Sequence, residues 1–467
     1  MTAVADPGSF RDPSGQVFIE NGRVLRTVSA FGAEEFEFVR ATGVIDDLIA
    51  DALVLPGTVL SQSPLPAEQS AGARYVVEHP LIPFISYPYE WCFSALKAAA
   101  LCHLDVHLRA LERGVALSDS SAYNIQFQGA RPIFIDHLSL RRYRDGELWA
   151  GHQQFCEQFL NPLLLRSILG LPHNAWYRGT QEGIPVAELA GIVPWHRKLG
   201  WRMLTHVVLQ ARFQARAVDD KGESGAKSLK DARLPLAGLQ GMLRGLRRWI
   251  ARLTPADAKR RTVWGDYTRT TSYSAEEAQA KEAFVRAFVE AEKPAVLWDV
   301  GCNTGEFSEV ALAAGAATVV GFDLDHGAVE AAFARARDRR LALLPLCLDL
   351  ANPSPSQGWE ERERQGLAAR GPADAIIALA LVHHLAIGRN IPLDRLVGRL
   401  VDMAPSGVIE FVPKADPMVG KLLRLREDIF PDYTEDAFLA ALTSRARVEK
   451  TTRISESGRL LAAYSRS

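Results

Sequence analysis

The sequence has few cysteines, no long apolar run and almost no net charge. Its five cysteines are scattered without a C-x-x-C pair, which argues against a disulfide framework or a cysteine-rich zinc knot. No uninterrupted apolar run reaches the roughly 18 residues that span a bilayer. With 54 basic and 55 acidic residues, the chain has no global attraction to nucleic acid. The amino terminus also lacks the pattern of a signal peptide, so we expect a cytoplasmic protein without a nucleic-acid partner.

The 467 residues are enough for two or three domains. Strand-like runs, among them "FEFVRA" (36–41), are followed by mainly helical stretches, which predicts an α+β domain over 1–214. The pattern alternates between helix and strand over 255–467 and predicts an α/β domain there. Between them, 215–254 reads as a polar linker followed by an amphipathic helix.

The stretch "LAGLQGMLRGLRRWIARL" (236–253) repeats apolar residues at helical spacing and has arginines on its other face. Two roles fit this pattern. The helix can pack against a domain, or it can make a peripheral membrane contact, as basic amphipathic helices do. Packing is favoured because most such apolar stripes face a core.

His103 and His107 lie four residues apart in a predicted helix, a spacing that suits two ligands of one metal ion. No third ligand is evident near them in the sequence. We therefore expect a packed or solvated helix face, and the sequence predicts no metal site.

The stretch "AVLWDVGCNTGEFSEVALAAGAATVVGFDLD" (295–325) predicts a strand, a glycine turn, a helix and a second strand that ends in an acid. Gly301 and Gly305 allow a tight turn and a close approach to a ligand outside the strand ends. The G-x-G-x-x-G spacing of nicotinamide sites and the Gly-Lys-Ser/Thr of P-loops are missing, and Glu306 disfavours a diphosphate at the helix start. What remains is a cofactor with a ribose and a cationic, phosphate-free tail.

The pattern Asp299-x-Gly301-x-x-x-Gly305, with Asp323 at the end of the next strand, resembles motif I and the acidic loop of class I S-adenosylmethionine-dependent methyltransferases. The resemblance implies a Rossmann-like seven-stranded sheet, S-adenosylmethionine as cofactor and S-adenosylhomocysteine as product. It also implies that Asp299 and the turn face the methionine end, while Asp323 accepts hydrogen bonds from the ribose. The full implied cofactor-binding set is Asp299, Gly301, Cys302, Asn303, Gly305, Asp323, Leu324, Asp349, Leu350, Tyr267 and Tyr273.

The downstream order of elements agrees with this family. "LALLPLCLDL" predicts a third strand, and the resemblance places its Asp349 near the adenine amino group. "ADAIIALALVHHL" (373–385) predicts a fourth strand that ends in His383 and His384, and "GVIEFVP" (407–413) predicts a fifth. "RVEKTTRI" and "RLLAAYSR" suit the antiparallel final hairpin.

Just upstream, Ser274 and Glu277 have the spacing of a helix-capping box. A leading segment in this family often covers the bound cofactor, so the resemblance makes Tyr267 and Tyr273 candidate lid residues. Packing of both rings on the sheet edge is the equal alternative.

His383 and His384 are the candidate catalytic residues. One of them, preferably His384, would act as a general base, because imidazole titrates in the useful range. Alternatively the pair only positions substrate, since orienting two reactants contributes most of many methyl transfers. Cys302 and Cys347 are interpreted as small buried residues.

A second motif lies in "GVALSDSSAYNIQFQGARPIFIDHLSL" (114–140). The order of Asp119, Asn124 and Asp136 resembles the catalytic loop and metal-binding acid of the protein kinase and aminoglycoside phosphotransferase superfamily. The resemblance implies that Asp119 orients a substrate hydroxyl and that Asn124 and Asp136 hold magnesium.

This kinase-like pattern departs from the superfamily in several places. Leu117 and Ser118 precede Asp119, and the range 20–60 offers no strand lysine, with Arg40 in "FEFVRA" as its nearest substitute. A glycine-rich phosphate loop is also missing. Because phosphoryl transfer needs its lysine and metal clamp, we predict a catalytically silent kinase-like domain, with an active kinase as the alternative.

The two halves together resemble bacterial two-part proteins related to the rhizobial nodulation methyltransferase-like proteins, through W-x-x-Y (264–267), D-V-G-C-N-T-G (299–305) and V-H-H-L (382–385). We expect methyl transfer, preferably to oxygen, on a small-molecule, glycan or glycolipid acceptor, with the amino-terminal domain as a recognition or scaffold module. The alternatives are a bifunctional kinase-methyltransferase and a catalytically silent cofactor-binding interaction protein.

Overall fold

The computed structural model describes residues 3–211, 233–257, 274–424 and 427–466, which form two compact units. The described residues of the first unit are 3–127, 131–211, 233–257 and 358–364, and those of the second are 128–130, 274–357, 365–424 and 427–466. Helices and strands alternate in the second unit, so the predicted α/β class is confirmed. Within the described ranges, no helix is long and apolar enough to cross a membrane.

The first unit begins with an antiparallel sheet of five strands in the order β1-β2-β3-β5-β4. Two further pairs, β6 with β9 and β7 with β8, form small separate sheets. The bounds are β1 Val4–Ala5, β2 Val17–Glu20, β3 Arg23–Ser29, β4 Thr58–Val59, β5 Ala73–His79, β6 Val115–Leu117, β7 Ile125–Gln128, β8 Arg131–Phe134 and β9 Leu140–Arg142.

Most other described residues of this unit are helical. The helices are α1 Ala30–Ala41, α2 Val44–Ala50, α3 Phe93–Glu112, α4 His152–Phe155, α5 Asn161–Leu169, α6 Asn174–Thr180, α7 Val186–Ile192, α8 Trp195–Lys198, α9 Trp201–Met203 and α10 Leu236–Arg252. Two π-helical turns, Cys156–Leu160 and Leu204–Val208, continue α4 and α9. Short 3-10 turns cover Pro7–Ser9, Pro88–Glu90, Ala122–Asn124, His137–Ser139 and Trp359–Glu361.

The prediction that "FEFVRA" is strand-like is wrong, because these residues lie in α1. The Ser29 side chain accepts a hydrogen bond from the Gly32 amide and starts the helix. Phe36 and Val39 are both buried, three residues apart, which is the spacing of a helix face. Arg40, the nearest substitute for a strand lysine, therefore lies on a helix.

Helix α10 packs within the first unit, as the favoured interpretation of 236–253 predicts. Its buried residues are Leu239, Leu243, Leu246 and Ile250. Arg247 on its polar side donates through Nη2 to Asp105 Oδ2 of α3 at 2.9 Å. The apolar stripe that a bilayer contact would use is thus already buried.

His103 and His107 are buried on α3, and the structure brings no third metal ligand to them among the described residues. The His103 ring lies 5.5 Å from Phe155 and 5.6 Å from Phe159, between ring centroids. Burial lowers the pKa of each histidine to about 3, so both are neutral in the folded protein. They form a packed helix face.

These buried histidines predict a loss of stability in acid. Above pH 6.5, the ordinary histidine pKa, folded and unfolded chains are both neutral at these sites, so they add no pH dependence. Below it, the unfolded chain binds protons that the folded chain cannot, and each histidine costs about 1.4 kcal/mol per pH unit. Urea unfolding at pH 5 to 8 measures this slope. In His103→Leu the slope below pH 6.5 becomes shallower, whereas an unchanged slope would contradict this assignment.

The second unit contains the predicted seven-stranded sheet, in the order β12-β11-β10-β13-β14-β16-β15. The first five strands are parallel, and β16 runs antiparallel to β14 and β15. The bounds are β10 Val296–Val300, β11 Thr318–Asp323, β12 Leu343–Cys347, β13 Ala375–Ala378, β14 Ser406–Phe411, β15 Arg447–Arg453 and β16 Leu460–Ser465.

Helices cover this sheet and close its apolar core. They are α11 Ala275–Glu292, α12 Glu306–Ala313, α13 His326–Arg339, α14 Val382–Ala386, α15 Leu393–Met403, α16 Pro417–Leu423 and α17 Glu435–Thr443, with a 3-10 turn at Leu367–Arg370. The core joins Val285 and Val289 of α11 to Leu297, Val319 and Leu343 of the sheet. Ser274 and Glu277 form the predicted capping box at the start of α11.

The predicted fourth strand extends too far. β13 ends at Ala378, and His383 and His384 lie in α14. Ala380 has a φ of 50°, in the left-handed region, and breaks the strand between them. The apolar run "AIIALALV" does not show where the strand ends and the helix begins. A buried strand and a buried helix are both continuously apolar, so the pattern is the same for either one.

Candidate functional site

The candidate site lies where the parallel strands of the second unit end. Val300 of β10 pairs with Phe322 of β11, and Asp323 pairs with Cys347 of β12. The turn after β10, the acid of β11 and the residues after β12 therefore share one edge of the sheet. Open α/β sheets bind ligands at this edge.

The turn after β10 has three residues in the left-handed backbone region. The φ angles are 85° at Gly301, 48° at Asn303 and 79° at Gly305. The amides of Gly301 and Cys302 donate to the Phe322 carbonyl at 2.8 and 3.0 Å, which joins the turn to β11. Asparagine adopts this conformation at lower cost than most residues, and a hydrogen bond to its amide gives the turn further support.

Asp323 provides that support. Its Oδ2 accepts from the Asn303 amide at 2.9 Å, and its Oδ1 accepts from the Asp325 amide at 2.8 Å. Burial raises the pKa of this carboxyl, and the two backbone amides oppose that rise. Each carboxylate oxygen accepts more than one hydrogen bond, so Asp323 keeps acceptor capacity for a ligand.

Asp299 is buried and bonded within the protein. Its Oδ2 accepts from Ser308 Oγ at 2.6 Å, which ties β10 to α12. Burial raises the pKa of Asp299 to about 7, although the Ser308 hydrogen bond favours the ionised form. Cys302 is buried as expected. Its side chain has room because residue 321 is a glycine, and a Cβ at that position would lie only 2.9 Å from Cys302 Sγ.

The other predicted cofactor residues differ in exposure. Leu324, directly after Asp323, is 50% exposed. Asp349 follows β12 and pairs through Oδ2 with Arg389 Nη2 at 3.1 Å, and Leu350 beside it is half-buried. Tyr267 and Tyr273 lie outside the described residues.

The two candidate catalytic histidines have different environments. His383 is fully buried, and both ring nitrogens lack a hydrogen-bond partner within the described part of the chain. His384 is half-buried, and burial lowers its pKa to about 4. The two ring centroids are 3.9 Å apart. Of the pair, only His384 can therefore reach a ligand at the sheet edge without rearrangement.

A buried carboxylate that sequence reasoning missed supports the loop before these histidines. Glu410 of β14 is fully buried, and its Oε2 accepts from the strained Ala380 amide at 2.8 Å. Lys281 Nζ of α11 lies 2.7 Å from the same oxygen. Glu410 thus fixes the backbone between β13 and α14.

The ion-pair network continues through Arg459. Its Nη1 lies 3.5 Å from Glu410 Oε1, and its Nε lies 2.7 Å from Asp416 Oδ2, with all three side chains buried. The sequence carried a signal for this network. A single acid within the apolar strand "GVIEFVP" must be paired with buried cations, because burying an unpaired charge is too costly.

In the first unit, the structure brings Asp119, Asn124 and Asp136 into one cluster around Ser139. Asn124 Nδ2 donates to Asp119 Oδ1 at 2.9 Å and to Ser139 Oγ at 3.2 Å. The Ser139 hydroxyl donates to Asp136 Oδ2. Burial and the nearby Asp136 raise the pKa of Asp119 to about 6.

Sequence reasoning missed the cation of this cluster. Arg26 of β3 places Nη2 3.0 Å from Asp136 Oδ1 and 2.5 Å from Asp12 Oδ2. Besides Arg40, the range 20–60 also contains Arg26 in the strand "RVLRTVS", and the sequence prediction overlooked this cation. Its guanidinium occupies one oxygen of Asp136, and the Ser139 hydroxyl occupies the other.

Glu410→Gln is expected to destabilise the second unit. The amide can still accept from Ala380, but Lys281 and Arg459 lose the charge that compensates their burial. Breaking a buried ion pair on one side costs about 3–5 kcal/mol. Urea denaturation measures the change.

Glu449→Gln is the matched control, because Glu449 pairs with Arg447 on the exposed strand β15. Exposed pairs contribute at most about 1 kcal/mol. If both substitutions cost the same small amount, Glu410 is not the anchor described above.

Three solved structures resemble parts of this chain. The bifunctional kinase-methyltransferase WbdD matches 44% of this chain and 43% of its own, less than half its length, at 20% identity with a TM-score of 0.30. Magnesium protoporphyrin IX methyltransferase (ChlM) from Synechocystis PCC 6803 matches 48% of this chain and 91% of its own, at 18% identity with a TM-score of 0.31. N-methyltransferase NodS from Bradyrhizobium japonicum WM9 matches 41% of this chain and 98% of its own, at 14% identity with a TM-score of 0.30.

A much stronger relationship covers the whole chain. The nodulation protein NoeA of Rhizobium meliloti (strain 1021) is 46% identical over 464 residues, which are 98% of this chain and 96% of NoeA. No family model matches the sequence. Identity at this level over both units shows that the chain belongs to the family of the nodulation protein NoeA.

Proposed function

We propose that the second unit binds S-adenosylmethionine and transfers its methyl group to an oxygen of a small-molecule, glycan or glycolipid acceptor. The observation that carries this proposal is the left-handed turn 301–305 held by the Asp323 carboxylate. It presents a turn free of bulky side chains beside an acid, at the ligand-binding edge of a parallel sheet. A ribose-bearing cofactor without phosphates suits that arrangement.

The polar groups at this edge fit such a cofactor. Asn303 Oδ1 is buried and has no partner among the described residues, which leaves an acceptor for a donor group of the ligand. Asp323 keeps lone pairs for two vicinal hydroxyls. Glu306 at the start of α12 opposes a diphosphate, although Arg335 Nη2 lies 3.3 Å from its carboxylate.

The apolar part of the cofactor has its own support. Leu324 exposes its side chain beside Asp323 and offers a surface to a planar base. Asp349, which follows the next strand β12 at the same edge, offers a carboxylate to an exocyclic amino group. Leu350 beside Asp349 completes the set that would contact the nucleoside.

Bound S-adenosylmethionine supplies an electrophilic methyl group on a sulfonium that is already a good leaving group. The protein then has to orient the acceptor and receive one proton. His384 is neutral above pH 4 and can accept that proton or hold the hydroxyl in place. Burial makes the His384 cation costly, which favours positioning over a long-lived proton transfer. His383 shapes the crevice from within the core.

The first unit serves as a recognition or scaffold module with a silent kinase-like site. Asp136, which would hold magnesium, is instead paired with Arg26 and bonded to Ser139. The positive charge of the Arg26 guanidinium, 3.0 Å from this carboxylate, opposes a magnesium ion at the same place. Kinase activity preceding methylation, or a cofactor-binding interaction protein without turnover, remain the competing proposals.

Asp323→Ala is expected to weaken binding of S-adenosylhomocysteine by about 10- to 100-fold, because a hydrogen bond to a charged group contributes about 1.5–3 kcal/mol. Isothermal titration calorimetry on the full chain measures the affinity. Asp338→Ala is the control, since Asp338 is an exposed acid of α13 that pairs with Arg337.

Circular dichroism shows whether each variant is folded. The methyltransferase proposal is abandoned if the wild-type chain does not bind the ligand at micromolar concentration. It is equally abandoned if folded Asp323→Ala binds as tightly as wild type.

ATP with magnesium is expected to leave the thermal unfolding midpoint unchanged, because Arg26 occupies Asp136. Differential scanning fluorimetry with and without magnesium tests this directly. A magnesium-dependent stabilisation by ATP that disappears in Asp136→Ala would overturn the silent assignment and favour the bifunctional alternative.

A further inference from the structure

Three potential metal ligands converge in the first unit, away from the Asp119 cluster. They are His152 of α4, Cys156 of the following π-helical turn and His206 of the second π-helical turn. One ligand atom of each lies within 4.8 Å of the other two. His152 Nε2 is 3.0 Å from His206 Nδ1, and Cys156 Sγ is 3.6 Å from His152 Nε2.

These distances match a tetrahedral zinc site. With Zn–N bonds of about 2.05 Å and a Zn–S bond of about 2.3 Å, neighbouring ligands are separated by roughly 3.3 Å for two nitrogens and 3.6 Å for nitrogen and sulfur. The His152–His206 and His152–Cys156 separations lie within a few tenths of an ångström of these values, and the third pair, Cys156 and His206, lies within 4.8 Å. Two imidazoles and one thiolate are also a donor set that zinc prefers.

The local backbone contributes to this convergence. Both polypeptide segments change from α- to π-helix at the cluster, over Cys156–Leu160 and Leu204–Val208. A π-turn costs stability and occurs frequently at functional sites, where it re-aims side chains. Here the first π-turn begins at Cys156, and the second contains His206.

The cluster lies in buried, largely aromatic surroundings. Cys156 and His206 are buried, and His152 is half-buried. The indole of Trp149 lies 5.4 Å from the His152 ring, and Trp249 lies 6.0 Å from the His206 ring.

We propose that His152, Cys156 and His206 bind one Zn²⁺ ion, with a water molecule as the fourth ligand. The described residues contribute three ligand atoms to this group, and half-buried His152 leaves solvent access for the water. The site joins α4 to the segment at 201–208, which follows it by about fifty residues. It is independent of the methyltransferase proposal, because all three ligands belong to the first unit.

Binding of zinc changes the protonation of the Cys156 thiol and the position of one imidazole proton. The Cys156 thiol releases its proton to solvent and becomes a thiolate, because zinc binds the deprotonated form. Both imidazoles stay neutral. Without zinc, one of the two facing nitrogens, His152 Nε2 or His206 Nδ1, carries a proton and donates it to the other. When zinc binds, this proton moves to the second nitrogen of the same ring. His152 Nε2 and His206 Nδ1 then both offer a lone pair to the ion.

Metal analysis of the full chain, purified without chelator, tests the site. We expect about one zinc per chain in wild type and less than about 0.1 in Cys156→Ser or His206→Gln, because each substitution leaves only two protein ligands for the ion. Cys102→Ser is the matched control, since Cys102 is also buried in the first unit and its Sγ contacts the carbonyls of Leu53 and Pro132. This control is expected to keep its zinc. A chelator should lower the thermal unfolding midpoint of wild type, and added zinc should restore it.

X-ray absorption of the zinc-loaded wild-type chain keeps the proposal testable if the variants do not fold. The expected first shell is one sulfur at about 2.3 Å and three nitrogen or oxygen atoms at about 2.0–2.1 Å. Absence of stoichiometric zinc, a shell without sulfur, or zinc retained by folded Cys156→Ser would each overturn the proposal.

Discussion

The hydrogen bond from the Asn303 amide to the Asp323 carboxylate is the constraint on which the candidate site depends. Asn303 has a left-handed backbone, a conformation that asparagine tolerates better than most residues and that the carboxylate of Asp323 stabilises here. The bond also joins the turn after β10 to the end of β11, so two neighbouring strand ends move as one piece. The ligand-binding edge is therefore formed before any ligand arrives, which reduces the entropy lost on binding.

The same arrangement occurs again at the neighbouring strand end, since β13 pairs directly with β10. Ala380 follows β13 with a left-handed backbone, and the buried carboxylate of Glu410 accepts from its amide. Glu410 is in turn held by Lys281 and Arg459. At both places, a strained residue directly after a parallel strand is anchored by a carboxylate from the adjacent strand. The first anchor shapes the proposed cofactor site, and the second fixes the approach to His384.

Much of this architecture follows from the sequence alone. The glycine turn and the alternation of strands and helices are carried by local patterns of apolar residues, glycines and strand-terminal acids, whereas the seven-stranded sheet and its final hairpin came from the family resemblance. Short apolar runs were less informative, since "FEFVRA" forms a helix and the strand before His383 ends early. The partners of Glu410 and Asp136 and the His152 cluster could not be read from spacing, because their members lie tens to hundreds of residues apart. Only the tertiary structure brings such residues together.

The most direct test of the central claim is hydrogen–deuterium exchange of the full chain with and without S-adenosylhomocysteine. If the Asn303–Asp323 turn binds this cofactor, the amides of 301–305 and 323–327 exchange more slowly when S-adenosylhomocysteine is present. We expect no such protection with NADH. Unchanged exchange at both segments, or equal protection by NADH, would contradict the claim that the Asn303–Asp323 turn is built for a phosphate-free nucleoside cofactor.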